Sequence, residues 1–286
     1  MKRAALLLLI AGAACLAQPR RVIVIGYDGL SPDGLRSARV PNIDKLRARG
    51  AWTYHARGVM PTSSSPNWAS MIMGAGPEQH GITSNDWMPD KFSIAPVCKG
   101  PGGQFPTVFG QLREQRPASK IGVFHDWDGF GRLVENGAAD RIEHPKGPQE
   151  TMRRAVAYWK EAQPGLLFIH LDHIDHAGHE HGHGTPEYIA SIEEADRLTA
   201  EIVRAAGDDA VFLLTSDHGG VGKKHGGETM AELEIPWILA GPGVKPGELR
   251  VPVNTFDTAP TVASLLGIKP HPCWIGRSVT EAFASR

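Results

Sequence analysis

The chain has 286 residues and carries 30 Lys and Arg against 31 Asp and Glu, which gives a formal net charge of −1. This balance gives no reason to expect a protein that binds nucleic-acid polymers or anionic membrane surfaces. Hydrophobic residues make up 41% of the chain, and no repeat, coiled coil or low-complexity linker interrupts it. The length and composition therefore predict one large globular domain with a substantial core.

The first 17 residues have the pattern of a secretory signal peptide, which we assign to residues 1–17. A basic start at residues 1–3 precedes an apolar stretch that is too short to span a membrane comfortably. Cleavage before Gln18 would leave a single domain over residues 18–286, exported to the periplasm or the extracellular space. The alternative is a lipid anchor on Cys15, although the leucine expected in a lipoprotein signal is missing.

Two cysteines, Cys98 and Cys273, remain in the mature chain. In an oxidising compartment they can form a disulfide, but neither their spacing nor their sequence context decides whether they do. The pairing stays open at this point.

Apolar runs and helical patterns alternate along the chain. Runs with the composition of buried strands cover residues 22–25, 121–124, 166–171, 211–214 and 235–240. Helical patterns cover a short segment from residue 41 that stops at Gly50, and residues 66–73, 108–114, 150–162, 185–206 and 257–266. This alternation predicts an α/β fold with a mostly parallel central sheet flanked by helices on both faces.

Some of the predicted strands end in residues of the types that bind metal ions. Asp28 follows the first strand, Asp217 and His218 follow residues 211–214, and His225 lies on the next Gly-rich loop. In open α/β sheets, ligands bind beyond the carboxyl ends of the strands. Carboxylates and imidazoles are the ligands that a zinc-like ion prefers. For each residue taken alone, the alternatives are an aspartate that caps a turn and histidines on the surface.

The tract that follows the strand at residues 166–171 is rich in histidine. Within it, Asp175 and His179 are four residues apart, so a helix would turn both side chains to one side, where they can hold one ion. The alternatives for this tract are a non-specific metal sink and a solvated loop.

Three serines, Ser63, Ser64 and Ser65, precede a helical pattern that has Pro66 in its first turn. They lie at a helix N-terminus, where free N–H groups and the helix dipole favour an anion. A serine in this position is ordinarily an N-cap. It becomes a nucleophile where a metal ion lowers the pKa of its hydroxyl, and the loop that contains Asn85 can return to the same place.

Together these motifs resemble the alkaline phosphatase superfamily, and within it the type I phosphodiesterase/nucleotide pyrophosphatase family. In chain order the motifs are Asp28 after a strand, the serine turn before Pro66-Asn67, Asp175-x-x-Gly-His179, Ser216-Asp217-His218-Gly219 and His225-Gly226. They occur in the family's order and span most of the mature chain. The resemblance implies an alkaline phosphatase-like fold.

The resemblance also implies two Zn²⁺ ions and a set of catalytic residues. One ion would be held by Asp175, His179 and His225, and the other by Asp28, Asp217 and His218, with the nucleophile as a further ligand. The nucleophile corresponds to Ser64, two residues before the proline of the motif. Asn85 corresponds to the asparagine with which the family holds a non-bridging phosphoryl oxygen.

The implied function is the zinc-dependent hydrolysis of a small phosphate ester through a phospho-serine at Ser64. A nearly neutral site favours a singly charged diester over a monoester. Ser65 stands where the family's nucleotide hydrolases carry an aromatic residue, and Trp68 or Trp87 either replaces that aromatic or packs in the core. The alternatives are a phosphomonoesterase, a phosphomutase-like enzyme, a noncatalytic zinc-binding relative, and a sulfatase-like enzyme, whose signature arginine is replaced by Trp68.

Overall fold

The computed structural model describes residues 21–284. The predicted signal peptide over residues 1–17, the cleavage site before Gln18 and the alternative lipid anchor on Cys15 lie outside the described residues. The described strands are β1 Arg21–Tyr27, β2 Gly50–Arg57, β3 Ile121–His125, β4 Arg141–Glu143, β5 Leu166–Leu171, β6 Ala210–Ser216, β7 Glu234–Ala240 and β8 Gly247–Glu248.

These strands form one sheet in the order β4-β3-β5-β1-β6-β7-β2-β8. The pairs from β4 to β6 are all parallel, and only β7 runs antiparallel to its neighbours β6 and β2. The mostly parallel sheet predicted from the sequence is therefore confirmed. Each predicted strand is present and extends by at most two residues at either end.

One long strand was not predicted. The sequence interpretation treated Gly50 only as the stop of the preceding helix, whereas β2 begins at that residue. Trp52 and Tyr54 are good strand formers, but they occur without the continuous apolar run that marked the other strands. The signal is weak because β2 lies near the sheet's edge, between β7 and the two-residue β8.

The described α-helices are α1 Pro32–Ser37, α2 Pro41–Ala48, α3 Ser64–Met73, α4 Pro77–His80, α5 Val108–Gln115, α6 Asp128–Gly131, α7 Pro148–Ala162, α8 His173–His181, α9 Pro186–Ala206, α10 Met230–Leu233 and α11 Thr258–Leu266. They cover both faces of the sheet. Alternate residues of β1 point to opposite faces, so Val22 and Val24 pack in one core with Trp68 of α3. Ile23 and Ile25 pack in a second core with α7 and α9.

The start of α3 differs from the prediction in a way that affects the serines. We predicted that α3 begins at Pro66, but it begins at Ser64, and Ser63 is the N-cap residue. Ser64 and Ser65 therefore lie inside the first turn of the helix.

The open question about the cysteines is also answered, because Cys98 and Cys273 form a disulfide with their Cα atoms 6.4 Å apart. Within residues 21–284, no helix is both long enough and apolar enough to cross a membrane.

His80 fastens the turn that leads to Asn85 onto α3. Its ring is buried, and Nδ1 accepts a hydrogen bond from the backbone N–H of Ile82 at 3.0 Å. Ser70 donates its hydroxyl hydrogen to the carbonyl of Pro66, so its oxygen accepts from Nε2–H of His80 at 3.0 Å. One ring nitrogen thus donates a hydrogen bond and the other accepts one, as only the neutral ring can do. Burial lowers the pKa of His80 to about 3.

This pKa predicts that His80 makes the fold sensitive to acid. The unfolded chain protonates His80 below about pH 6.5, whereas the folded chain keeps it neutral, so acid favours unfolding. Between about pH 7.5 and about pH 5.5, wild type should lose about 1.4 kcal/mol more unfolding free energy than His80→Gln. Urea denaturation of both proteins at the two pH values measures this difference. An equal loss in both proteins would show that His80 is not held neutral.

Candidate active site and metal centre

The predicted site residues meet at the carboxyl ends of three adjacent strands. In the sheet register, Tyr27 at the end of β1 pairs with Leu171 of β5 on one side and with Ser216 of β6 on the other. The polar residues that follow these strands are therefore forced to the same edge. They are Asp28 after β1, Asp175 in the first turn of α8 after β5, and Asp217 and His218 after β6.

The first group consists of Asp28, Asp217 and His218, all almost completely buried. Nε2 of His218 lies 3.4 Å from Oδ1 of Asp28 and 3.2 Å from Oδ2 of Asp217. The hydroxyl oxygen of Ser64 lies 3.3 Å from the same nitrogen. The structure thus places the predicted nucleophile beside the three residues that the resemblance assigns to one ion.

The second group consists of Asp175, His179 and His225. Nε2 of His179 lies 3.2 Å from Oδ2 of Asp175 and 3.1 Å from Nε2 of His225. Nε2 of His225 lies 3.9 Å from Oδ1 of Asp175. The rings of His225 and His218 stack with their centroids 3.8 Å apart, so the two groups are contiguous.

The three histidines share a ring orientation that suits metal binding through Nε2. Nδ1 of His179 lies 2.9 Å from the carbonyl oxygen of Lys223, Nδ1 of His218 lies 2.8 Å from that of Gly219, and Nδ1 of His225 lies 2.9 Å from that of Thr62. A carbonyl oxygen only accepts, so each Nδ1 carries the hydrogen and each Nε2 presents a lone pair to the site. Facing lone pairs on His179 and His225 need a cation between them, either a metal ion or a proton.

The carboxylates also fit a bound cation. Oδ1 of Asp28, Oδ1 of Asp175 and Oδ2 of Asp217 are buried and accept no hydrogen bond from the described residues. A buried charged oxygen without a partner is costly, and a divalent ion satisfies several at once. Burial raises the pKa of Asp217 well above its usual range, and the charges of Asp28 and Asp175 add to the shift. The carboxylate and imidazole donors suit zinc.

The geometry also permits groupings beyond the two implied by the resemblance. Asp28, Asp175 and His218 offer ligand atoms within 4.8 Å of one another, which places Asp175 between the two groups. A further set, whose ligand atoms also lie within 4.8 Å of one another, consists of Asp28, His170 and Asp172.

The loop before α3 is held rigidly by Asn67. Its side-chain amide donates to the carbonyls of Val59, Pro61 and Ser63 at 2.9 to 3.2 Å, and its oxygen accepts from the N–H of Val59. Because every polar atom of this completely buried side chain is used, the turn into Ser64 has little freedom.

Asn85 lies next to Ser64, the predicted nucleophile. Its side-chain oxygen accepts a hydrogen bond from the backbone N–H of Ser65 at 2.8 Å. Because the oxygen of the Asn85 amide accepts this hydrogen bond, its NH₂ group remains free to donate to a ligand. Ser65 itself is buried, so it does not offer its side chain as a platform for a substrate.

Three residues near the site were not predicted in the roles they have. Nε1 of Trp68 donates to Oδ2 of Asp28 at 2.9 Å, and Nε2 of His170 lies 3.1 Å from the same oxygen. Trp68 and Trp87 both pack in the core, so the core alternative holds for both. Oδ1 of Asp126 lies 3.6 Å from Nδ1 of His170.

These contacts set the charges around Asp28. Burial alone would raise its pKa, but the hydrogen bond from His170 and the nearby His218 lower the pKa to about 2. Burial alone would lower the pKa of His170, but the carboxylates of Asp126 and Asp28 outweigh it and raise the pKa to about 9. Burial, together with the charge of Asp28, raises the pKa of Asp172 to about 8.

Comparison with solved structures places this architecture among the alkaline phosphatase-like folds. Murine ectonucleotide pyrophosphatase/phosphodiesterase 5, in an inactive form in complex with AMP, superposes with a TM-score of 0.77 at 15% identity, over 93% of this chain and 100% of that one. A mutant of the alkaline phosphatase PafA gives a TM-score of 0.78 at 14% identity, over 93% and 99% of the two chains. At these identities the likeness concerns the fold alone.

The family follows from the sequence comparison. Residues 22–229 match the model of the type I phosphodiesterase/nucleotide pyrophosphatase family, and the chain belongs to this family. Ectonucleotide pyrophosphatase/phosphodiesterase family member 1 of Mus musculus is 26% identical over 214 residues, which cover 69% of this chain and 24% of that protein. The chain thus matches about a quarter of the length of this curated relative. The resemblance inferred from the motifs is confirmed.

Proposed function

We propose that this protein is a metal-dependent hydrolase of small phosphate esters, above all of diesters, that works through a phospho-serine at Ser64. The observation that carries the proposal is the position of the Ser64 hydroxyl, 3.3 Å from Nε2 of His218, in a cluster of three carboxylates and three imidazoles. A nucleophile beside a complete set of metal ligands suits transfer of a phosphoryl group. Membership of the phosphodiesterase family supports the same reaction class.

The metal ions in this proposal are two Zn²⁺. Asp175, His179 and His225 would hold one ion, and Asp28, Asp217, His218 and Ser64 would hold the other. When bound, the ions supply positive charge that lowers the pKa of the Ser64 hydroxyl and stabilises the leaving oxygen. Two zinc ions carry four positive charges, which three aspartates and the Ser64 alkoxide balance.

The chain's own residues then position the reaction. The Ser64 oxygen attacks phosphorus, a Ser64–phosphorus bond forms, and the bond from phosphorus to the leaving oxygen breaks. Asn85 is fixed through its carbonyl oxygen, so its NH₂ group donates to a non-bridging oxygen of the phosphoryl group. The dipole of α3 favours the anion at its N-terminus. Water then attacks phosphorus, the bond to Ser64 breaks, the phosphomonoester leaves, and a proton from the water restores the Ser64 hydroxyl.

The charge of the site favours a diester over a monoester. A nearly neutral site gains more from one negative charge than from two, unless a further cation is close. Lys223 lies two residues before His225, and its ammonium group donates to the carbonyl of Glu180 at 2.7 Å. This hydrogen bond engages the Lys223 ammonium at the C-terminal end of α8.

Export is a further part of the proposal. The disulfide between Cys98 and Cys273 suits an oxidising compartment, in agreement with the secretory pattern of residues 1–17. We propose a periplasmic or extracellular enzyme whose catalytic domain spans residues 18–286, with a lipid anchor on Cys15 as the alternative to release.

The metal assignment predicts about two zinc ions per chain in wild type and about one in His225→Ala, because that variant removes one of three ligands from a single site. Metal analysis of the purified proteins gives the stoichiometry. His176→Ala is the matched control, since His176 belongs to the same histidine-rich tract but is exposed and paired with Glu180. Equal zinc loss in both variants, or none in His225→Ala, would remove His225 from the ligand set.

The nucleophile assignment predicts that Ser64→Ala binds zinc almost normally, because the aspartate and histidine ligands remain. Its turnover of an aryl phosphodiester should fall by about 10³-fold or more, since the attacking atom is lost. Ser63→Ala and Ser65→Ala are the controls and should lose far less. Asn85→Ala should lose about 10²-fold, the scale for one transition-state donor. Near-normal turnover in Ser64→Ala would refute the covalent mechanism.

The substrate class is tested with wild type alone. Turnover of an aryl phosphodiester, the matching phosphomonoester and the matching aryl sulfate should be fastest for the diester, because the site carries little net charge. A preference for the monoester would refute the substrate class and leave the phospho-serine mechanism standing. A preference for the sulfate would refute both the substrate class and the reaction class.

A further inference from the structure

The two oxygens of Asp28 have different surroundings. Oδ2 is 2.9 Å from Nε1 of Trp68 and 3.1 Å from Nε2 of His170, and both of these side chains are completely buried. Oδ1 has no hydrogen-bond partner among the described residues and lies 3.4 Å from Nε2 of His218. The protein therefore fixes one oxygen and presents the other to the metal cluster.

The direction of both hydrogen bonds follows from the chemistry of the groups. The indole nitrogen of Trp68 only donates, and an ionised carboxylate only accepts, so Nε2 of His170 must carry a hydrogen. The two donors use both lone pairs of Oδ2. They come from different elements, Trp68 from α3 and His170 from β5, where it pairs in register with Gly26 of β1. The orientation of the carboxylate is thus fixed from two sides.

A second carboxylate extends this arrangement to α8. Asp126 follows β3, and its Oδ1 accepts the backbone N–H of Asp172 at 2.5 Å and lies 3.6 Å from Nδ1 of His170. Asp172 immediately precedes α8, which carries Asp175. Asp126 therefore holds the start of that helix and faces the free side of the His170 ring.

We propose that Trp68 and His170 are positioning residues that limit Asp28 to binding the metal through Oδ1 alone. Asp126 orients the His170 ring from its other side. The inference rests on the metal site of the proposed function and adds residues that touch no metal themselves.

The same residues could instead be read as part of a third cation site, because Asp28, His170 and Asp172 offer ligand atoms within 4.8 Å of one another. Both lone pairs of Asp28 Oδ2 are already taken by N–H donors, so a cation there would have to displace them. The positioning role therefore agrees better with the hydrogen bonds of Trp68 and His170.

The test compares two replacements of His170. His170→Phe keeps an aromatic ring beside Trp68 and Phe130 but removes the N–H, whereas His170→Gln retains an N–H donor of similar reach. Zinc affinity is measured by competition with a chelating dye, and thermal unfolding of the metal-free proteins reports on stability. His170→Phe should weaken one of two zinc-binding steps by about 10- to 100-fold, and His170→Gln should restore most of it.

The outcomes separate this inference from the function it rests on. If wild type binds no zinc, the proposed function fails. If wild type binds two ions and both variants bind them equally well, or both lose affinity equally, the positioning role of His170 is refuted while the function stands. A third zinc ion that is lost in both variants would show a cation site instead.

A measurement on wild type covers the case in which His170→Phe does not fold. Nitrogen-15 NMR of the histidine rings should show a slowly exchanging hydrogen on Nε2 of His170, both before and after zinc is added. Disappearance of that hydrogen on zinc binding would contradict the proposal, because Nε2 would then be a ligand rather than a donor.

Discussion

Three aspartates buried together at one edge of a parallel sheet are the constraint on which the rest of this structure depends. Within residues 21–284, one buried oxygen each of Asp28, Asp175 and Asp217 has no hydrogen-bond partner. Like charges in a buried place need positive charge close by, and the register of β1, β5 and β6 leaves them no room to separate. The three imidazole rings point their Nε2 atoms toward these carboxylates. The N-terminus of α3, which carries the positive end of the helix dipole, also faces them.

The proposed nucleophile, Ser64, and the proposed metal ligand Asp28 are linked through α3. Trp68 lies one turn along α3 from Ser64, and its indole N–H holds Asp28. A shift of α3 would therefore move the Ser64 hydroxyl and disturb Asp28 together. Asn67 fixes the loop on the other side of Ser64, so the serine is held between two sets of buried hydrogen bonds.

Much of the site was predictable because it follows local rules. Asp28, Asp217 and His218 follow apolar runs that could only be buried strands, and Asp175 and His179 share a helix face through their spacing. The sequence did not reveal the roles of Trp68, His170 and Asp126, because the residues that they contact are distant in sequence. His170 sits inside the apolar run of β5, where a lone polar residue was the only signal. β2 was missed because its pattern mixes polar and apolar residues near the sheet's edge.

The most direct test is anomalous diffraction at the zinc absorption edge from crystals grown with zinc. Two peaks about 4 Å apart are expected, as in two-metal sites generally. One should lie among Asp175, His179 and His225, and the other among Asp28, Asp217 and His218 beside Ser64. A single peak, or zinc bound only by the exposed histidines of α8, would contradict a two-metal centre built on the three buried aspartates.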